Sequence, residues 1–191
     1  MTRLYKTQVV AFLMAVCACA TLGYSQSATF SVRVAQNGQL LPTADGEVHL
    51  EPGPFVLQFR FNGASDLLVN ASETSETFNA AREGLPFSAL PGFLQTGMAE
   101  EWFNSTRELI LSTDAPHAWF FENDSMHRFD SCVYEGSTLV CNRSVAGFLD
   151  GRELSSGEIP SLYLVFVLYT YDQATYEVLE YQRESLHLIF E

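Results

Sequence analysis

The sequence predicts a mostly-β fold, an antiparallel β-sandwich or roll with one or two short helices. Three observations predict it. Apolar and polar residues alternate with a period of two in several segments, tight-turn dipeptides bound those segments, and one ten-residue run is apolar on both of its faces.

The elements follow in chain order. Phe30, Val32 and Val34 alternate with Thr29, Ser31 and Arg33, which is a half-buried strand, and Asn37-Gly38 behind it is a tight-turn pair. Phe55, Leu57, Phe59 and Phe61 alternate with Val56, Gln58 and Arg60 between Pro54 and Asn62-Gly63. Four apolar residues on one face predict a core strand of a sandwich. Leu67 to Ala71 reads as a short strand, and Glu73 to Glu83 as a short helix stopped by Gly84. Leu85 to Gly97, with Pro86, Pro91, Gly92 and Gly97, reads as loop, and Met98 to Phe103 as one further helical turn. Arg107 to Leu111 and His117 to Glu122 read as strands, and Phe148 to Pro160 as a surface connection. Leu162 to Tyr171 (LYLVFVLYTY) is apolar on both faces, so it predicts a central strand covered on both sides. It is too short for a membrane helix, which needs roughly 20 apolar residues. Leu186, Leu188 and Phe190 mark a closing strand at the end of the chain.

His127 to Val145 carries the most specific local signal. Gly136-Ser137 is a two-residue loop of the II′ type, with glycine in the first central position. That turn sets Glu135 opposite Thr138, Tyr134 opposite Leu139, Val133 opposite Val140 and Cys132 opposite Cys141. The turn-closing pair is hydrogen-bonded, so the cysteine pair is non-hydrogen-bonded, the type whose Cα atoms approach to about 4.5 Å. A disulfide can bridge that distance, and these are the only cysteines beyond the first 25 residues. The same register brings Asp130 opposite Arg143 on the disulfide face, an ion pair contributing about 0.2–1 kcal/mol.

The amino terminus reads as a secretory signal. Arg3 and Lys6 precede the apolar stretch Val9 to Val16, and small residues Ala18-Cys19-Ala20 lead into Ser25-Gln26-Ser27. Residues 1–25 are expected to be removed after Ala20 or Ser25, leaving 26–191 as one β-rich domain in the periplasm or outside the cell. That compartment is oxidising and suits the disulfide. Val16-Cys17-Ala18-Cys19 loosely resembles a lipobox, but Cys17 departs from its pattern, so no lipid anchor is expected at Cys19. Asn70, Asn104, Asn123 and Asn142 each begin an Asn-x-Ser/Thr triplet, a glycan acceptor in a eukaryotic secretory route.

Charge narrows the partners. The whole chain carries −13. Loss of Arg3 and Lys6 with the signal makes this −15, with arginine as the only remaining base. That charge has two readings: it keeps an exported chain dispersed, or it steers encounter with a cationic protein. Nucleic acid and anionic lipid are excluded as partners by the same sign.

Signals for catalysis are weak. His117, His127 and Asp130 form the one combination of two histidines and a carboxylate worth testing as an open zinc site, but their spacing fits no ligand pattern. No GxSxG elbow and no phosphate loop occur. No cofactor is expected. Trp102-Phe103 and Trp119-Phe120-Phe121 are denser than one strand face requires, because adjacent residues point to opposite sides. Trp102 and Trp119, with Glu122 and Asp124 beside the second cluster, are the candidate partner-binding residues. The sequence therefore predicts an acidic, exported, non-enzymatic binding protein of inhibitor or immunity type. A secreted hydrolase using carboxylates or the His117/His127/Asp130 set, and an envelope structural component or lipoprotein, are the alternatives.

Overall fold

A computed structural model of the protein describes residues 28–63, 66–94, 109–111, 117–121, 129–148, 151–175 and 177–191. Its strands form two sheets packed face to face. The front sheet holds β1 (Thr29–Gln36), β2 (Gln39–Leu40), β4 (Phe55–Asn62), β6 (Leu109–Leu111), β8 (Ser131–Glu135) and β9 (Thr138–Phe148). Its order is β2-β1-β4-β9, and the far side of β9 pairs with β8 over one half and β6 over the other. The back sheet runs β3-β11-β10-β5-β7, built from β3 (Glu47–Leu50), β5 (Asp66–Ser72), β7 (His117–Phe121), β10 (Ser161–Tyr171) and β11 (Val178–Phe190). Pairing is antiparallel except at β3–β11 and β6–β9, which are parallel.

The predicted alternation places the core. Phe30 and Val34 of β1 and Phe55, Leu57, Phe59 and Phe61 of β4 turn inward, where they meet Leu67, Val69, Leu164, Phe166, Leu168 and Leu188 of the back sheet. Phe59 contacts Phe166 and Phe129 edge-on, with ring centroids 5.7 and 5.5 Å away. Truncating such a fully buried ring to alanine costs about 3–5 kcal/mol.

A third layer explains the run that is apolar on both faces. β10 is central in its sheet, and its other face buries Val165, Val167 and Tyr169 together with Leu68. The cover comes from α1 (Glu76–Arg82) and α2 (Pro91–Leu94), through Phe78, Ala81, Leu90 and Phe93. Arg183 of β11 anchors α1. Its guanidinium donates to the carbonyls of Leu85 (2.8 Å) and Ala81 (3.3 Å) and is gripped through two bonds by Glu180. A cation on the last carbonyls of a helix satisfies acceptors that have no partner within it.

Three expectations change. The segment expected as loop from Leu85 contains a 3-10 turn, Phe87–Ala89, and α2, because its apolar residues must lie flat on β10 and β5. The connection expected on the surface buries Leu154 and Ile159 against the core. Asn70, whose triplet would accept a glycan in a eukaryotic secretory route, is 1 % exposed within β5. Gly92 of α2 lies so close that a Cβ there would overlap the Asn70 amide. The folded chain has no room for a sugar at that position.

One long side of the sandwich is closed by two glutamines. Gln182 of β11 accepts the Phe30 N–H (2.9 Å) and donates to the Phe30 carbonyl (2.8 Å). Gln36 of β1 makes the same two-way pair with the backbone of Glu51, at 3.0 and 2.8 Å. Each side-chain amide substitutes for a neighbouring strand. A bulge at Tyr181, where the β10–β11 register slips by one, sits beside Gln182.

Candidate functional site

The two sheets differ in what covers them. Helices seal the outer face of the back sheet. The outer face of the front sheet carries Ser31, Arg33 and Ala35 of β1, Val56, Gln58 and Arg60 of β4, Thr138, Val140, Asn142 and Ser144 of β9, and Ser131, Val133 and Glu135 of β8, of which Val140 alone is buried.

Charge is scarce on this face. Its ladder positions hold two arginines and one carboxylate, and Arg60 pairs with Glu135 at 2.9 Å. Amides, hydroxyls and the aliphatic side chains of Ala35, Val56, Val133 and Val140 fill the rest. Gln58 donates to Asn142 (3.3 Å), Asn142 donates to the Ser131 hydroxyl (3.2 Å), and the Thr138 hydroxyl donates to Asn62 (2.9 Å). A depression of about 510 Å³ opens between this row and the β1–β2 turn, lined in part by Gln58, Asp130 and Asn142 on one side and Asn37 and Leu40 on the other. The Asp130 carboxylate accepts the Ser144 N–H, and the Asp130 N–H donates to the Asn142 carbonyl. Arg143, expected opposite Asp130, is fully buried on the inner face opposite Leu57.

The hairpin adopts the register read from its turn. Glu135 pairs with Thr138, Tyr134 with Leu139, Val133 with Val140 and Cys132 with Cys141. The last pair forms the disulfide across 4.1 Å between Cα atoms, the close approach of a non-hydrogen-bonded pair. Gly136 has φ 65° while Ser137 is not in the left-handed region, as a II′ turn requires. All five residues of β8 are exposed, with Val133 at 56 % and Tyr134 at 72 %.

No family model, curated protein or solved structure matches the chain.

The other residues singled out in the sequence are dispersed. β7 carries His117 opposite Ala71 and Trp119 opposite Val69, on the edge of the back sheet. Asp130 stands beside β8 in the front sheet. Trp102, Glu122, Asp124 and His127 lie outside the described residues, as does the segment 1–25. Among the described residues no three histidine, cysteine or carboxylate side chains converge on one point. His49 and His187 each meet a carboxylate instead, Glu191 at 2.6 Å and Glu47 at 3.4 Å. His187 also stacks on Tyr163, with centroids 4.3 Å apart. No described helix is long and apolar enough to cross a membrane.

Residue type and alternation did not single out Leu40, Val133 or Tyr134 as surface features. Their exposure depends on which strands lack a neighbour, which local pattern does not encode.

Proposed function

We propose that the protein is exported to the periplasm or beyond the cell and acts by binding, as an inhibitor- or immunity-type protein for a cationic protein partner. One observation carries this reading: the outer face of the front sheet, over which no described helix packs, is poor in charge, while the rest of the described surface is acidic. Asp45, Glu47, Glu51, Glu76, Glu83, Glu153, Glu158 and Glu177 are all exposed on turns, on α1 and on the back sheet. Depletion of charge at the centre of a patch, with arginine retained, is the composition of a protein-binding surface. Carboxylates around it steer a cationic partner and set its orientation. The Cys132–Cys141 disulfide suits an oxidising compartment.

The test is affinity capture from an envelope or secreted extract with residues 26–191 as bait. A basic protein is expected to be retained at low salt, and its retention is expected to fall when Ser31 and Gln58 are changed to arginine. Retention of nothing, or of a partner indifferent to those changes, would remove the support for this face.

A further inference from the structure

We propose that β8 is a strand-addition site for an extended segment of a partner protein, apolar at its centre and basic near both ends. The inference deepens the binding reading and rests on it for the existence of a partner.

The backbone of β8 is the first argument. β8 pairs with β9 on one side only. In this register Ser131, Val133 and Glu135 exchange hydrogen bonds with β9, so the N–H and C=O groups of Cys132 and Tyr134 point away from it. No hydrogen bond within the described residues uses them. Exposed, unpaired strand edges are templates for another strand, and folded proteins commonly block them. This protein blocks the edge on the opposite side: Gln182 occupies the Phe30 groups of β1, and β2 covers the rest of that strand's end.

Preorganisation is the second argument. The disulfide joins the middle of β8 to β9, the Arg60–Glu135 pair holds one end, and the Asp130 N–H bond to the Asn142 carbonyl (2.8 Å) holds the other. An edge already fixed in extended form loses little conformational freedom when a strand is added.

The side chains specify the occupant. Val133 presents an apolar surface on the outer face and Tyr134 on the other, so central residues of the added strand need apolar side chains on both. Asp130 and Glu135 stand at the two ends, about 17 Å apart at the strand rise of about 3.4 Å per residue. Asp130 accepts the Ser144 N–H and Glu135 pairs with Arg60, but a carboxylate accepts further hydrogen bonds, so a basic residue near each end of the added strand would meet one of them. A second copy of this chain is the wrong occupant, because each copy carries −13 and would repel the other.

The test uses the mature chain and a capped hexapeptide, arginine–valine–threonine–valine–tyrosine–arginine. Saturating peptide is expected to slow hydrogen exchange at the Cys132 and Tyr134 amides about tenfold or more, the equivalent of one added hydrogen bond. Tyr134→Pro removes an outward N–H without touching the β9 ladder, and should weaken binding by about the same factor. The same peptide N-methylated at alternate residues should not bind, which tests the ladder without altering the protein. Unchanged exchange at both amides, or equal binding of the N-methylated peptide, overturns the proposal. So does a dimer in sedimentation that Tyr134→Pro abolishes, since the occupant would then be a second copy. A captured partner that binds Tyr134→Pro as tightly as the parent overturns the edge site and leaves the binding function standing. Protection by the peptide when nothing is captured from extract supports the edge site and counts against the binding function.

Discussion

Gln182 shows how much one side chain can hold. Its amide satisfies both backbone groups of Phe30 across the gap between the sheets, and it also donates to Glu184 at 2.8 Å. Gln182→Leu keeps the volume but leaves the Phe30 N–H and C=O without that partner. A loss of about 1–3 kcal/mol is expected in urea unfolding, with faster hydrogen exchange at Phe30 as the local signature. Gly92 makes the opposite kind of demand. A Cβ there would come within 2.8 Å of the Thr77 hydroxyl and overlap the buried Asn70 amide, while the Gly92 N–H already donates to Thr77 at 2.9 Å. Gly92→Ala is therefore expected to destabilise by about 1–3 kcal/mol, the usual cost of overpacking. A melting temperature equal to that of the parent would show that α2 shifts freely.

Among the elements, the β8–β9 hairpin holds its register through its turn, and the disulfide then limits its unfolded states. In the chain-entropy model a loop of about ten residues contributes a little under about 3 kcal/mol. Replacing both Cys132 and Cys141 with serine should lower the melting temperature yet leave a folded protein, since the core between the sheets includes only Cys141 of the pair. Loss of cooperative unfolding would contradict this. The β10–β11 turn depends on pH instead. Asp172 accepts the backbone N–H groups of Thr175 (2.9 Å) and Ala174 (2.8 Å), and those two bonds hold its carboxyl below the ordinary carboxylate range. A depressed folded value means that the ionised form stabilises the turn. Its contribution is complete above the unfolded value near 3.9 and disappears as pH falls through the lower folded value. Amide shifts of Ala174 and Thr175 should titrate below pH 4, and in Asp172→Asn that titration should vanish.

At the scale of the whole molecule, charge and shape are segregated. The acidic groups crowd the turns, α1 and the back sheet, and the front face is nearly neutral. If that segregation serves encounter, the association rate with a captured basic partner should fall steeply as salt rises. Exposed charges further apart than about 8 Å are largely screened at physiological ionic strength. Dissociation should change much less, because it depends on contacts at the packed centre. Surface-binding kinetics across a salt series decide the matter, and an association rate that ignores salt would leave solubility as the sole role of the acidity.

The amino-acid sequence by itself determined the class of fold, the hairpin and its disulfide, and the central place of β10. Each of these is local. Period-two alternation at Phe55 to Phe61, a glycine at the first position of a two-residue turn, and an apolar run on both faces are patterns spanning a dozen residues or fewer. Tertiary structure alone decided the rest. The burial of Asn70 follows from α2 lying across β5, the edge-capping by Gln182 from two sheets meeting 152 residues apart in the chain, and the open edge of β8 from strands that pair elsewhere. The parallel pairings of β3 with β11 and of β6 with β9 belong with these. Such features depend on which elements become neighbours, a choice made by the packing of all the apolar faces together, and no short stretch of sequence carries it.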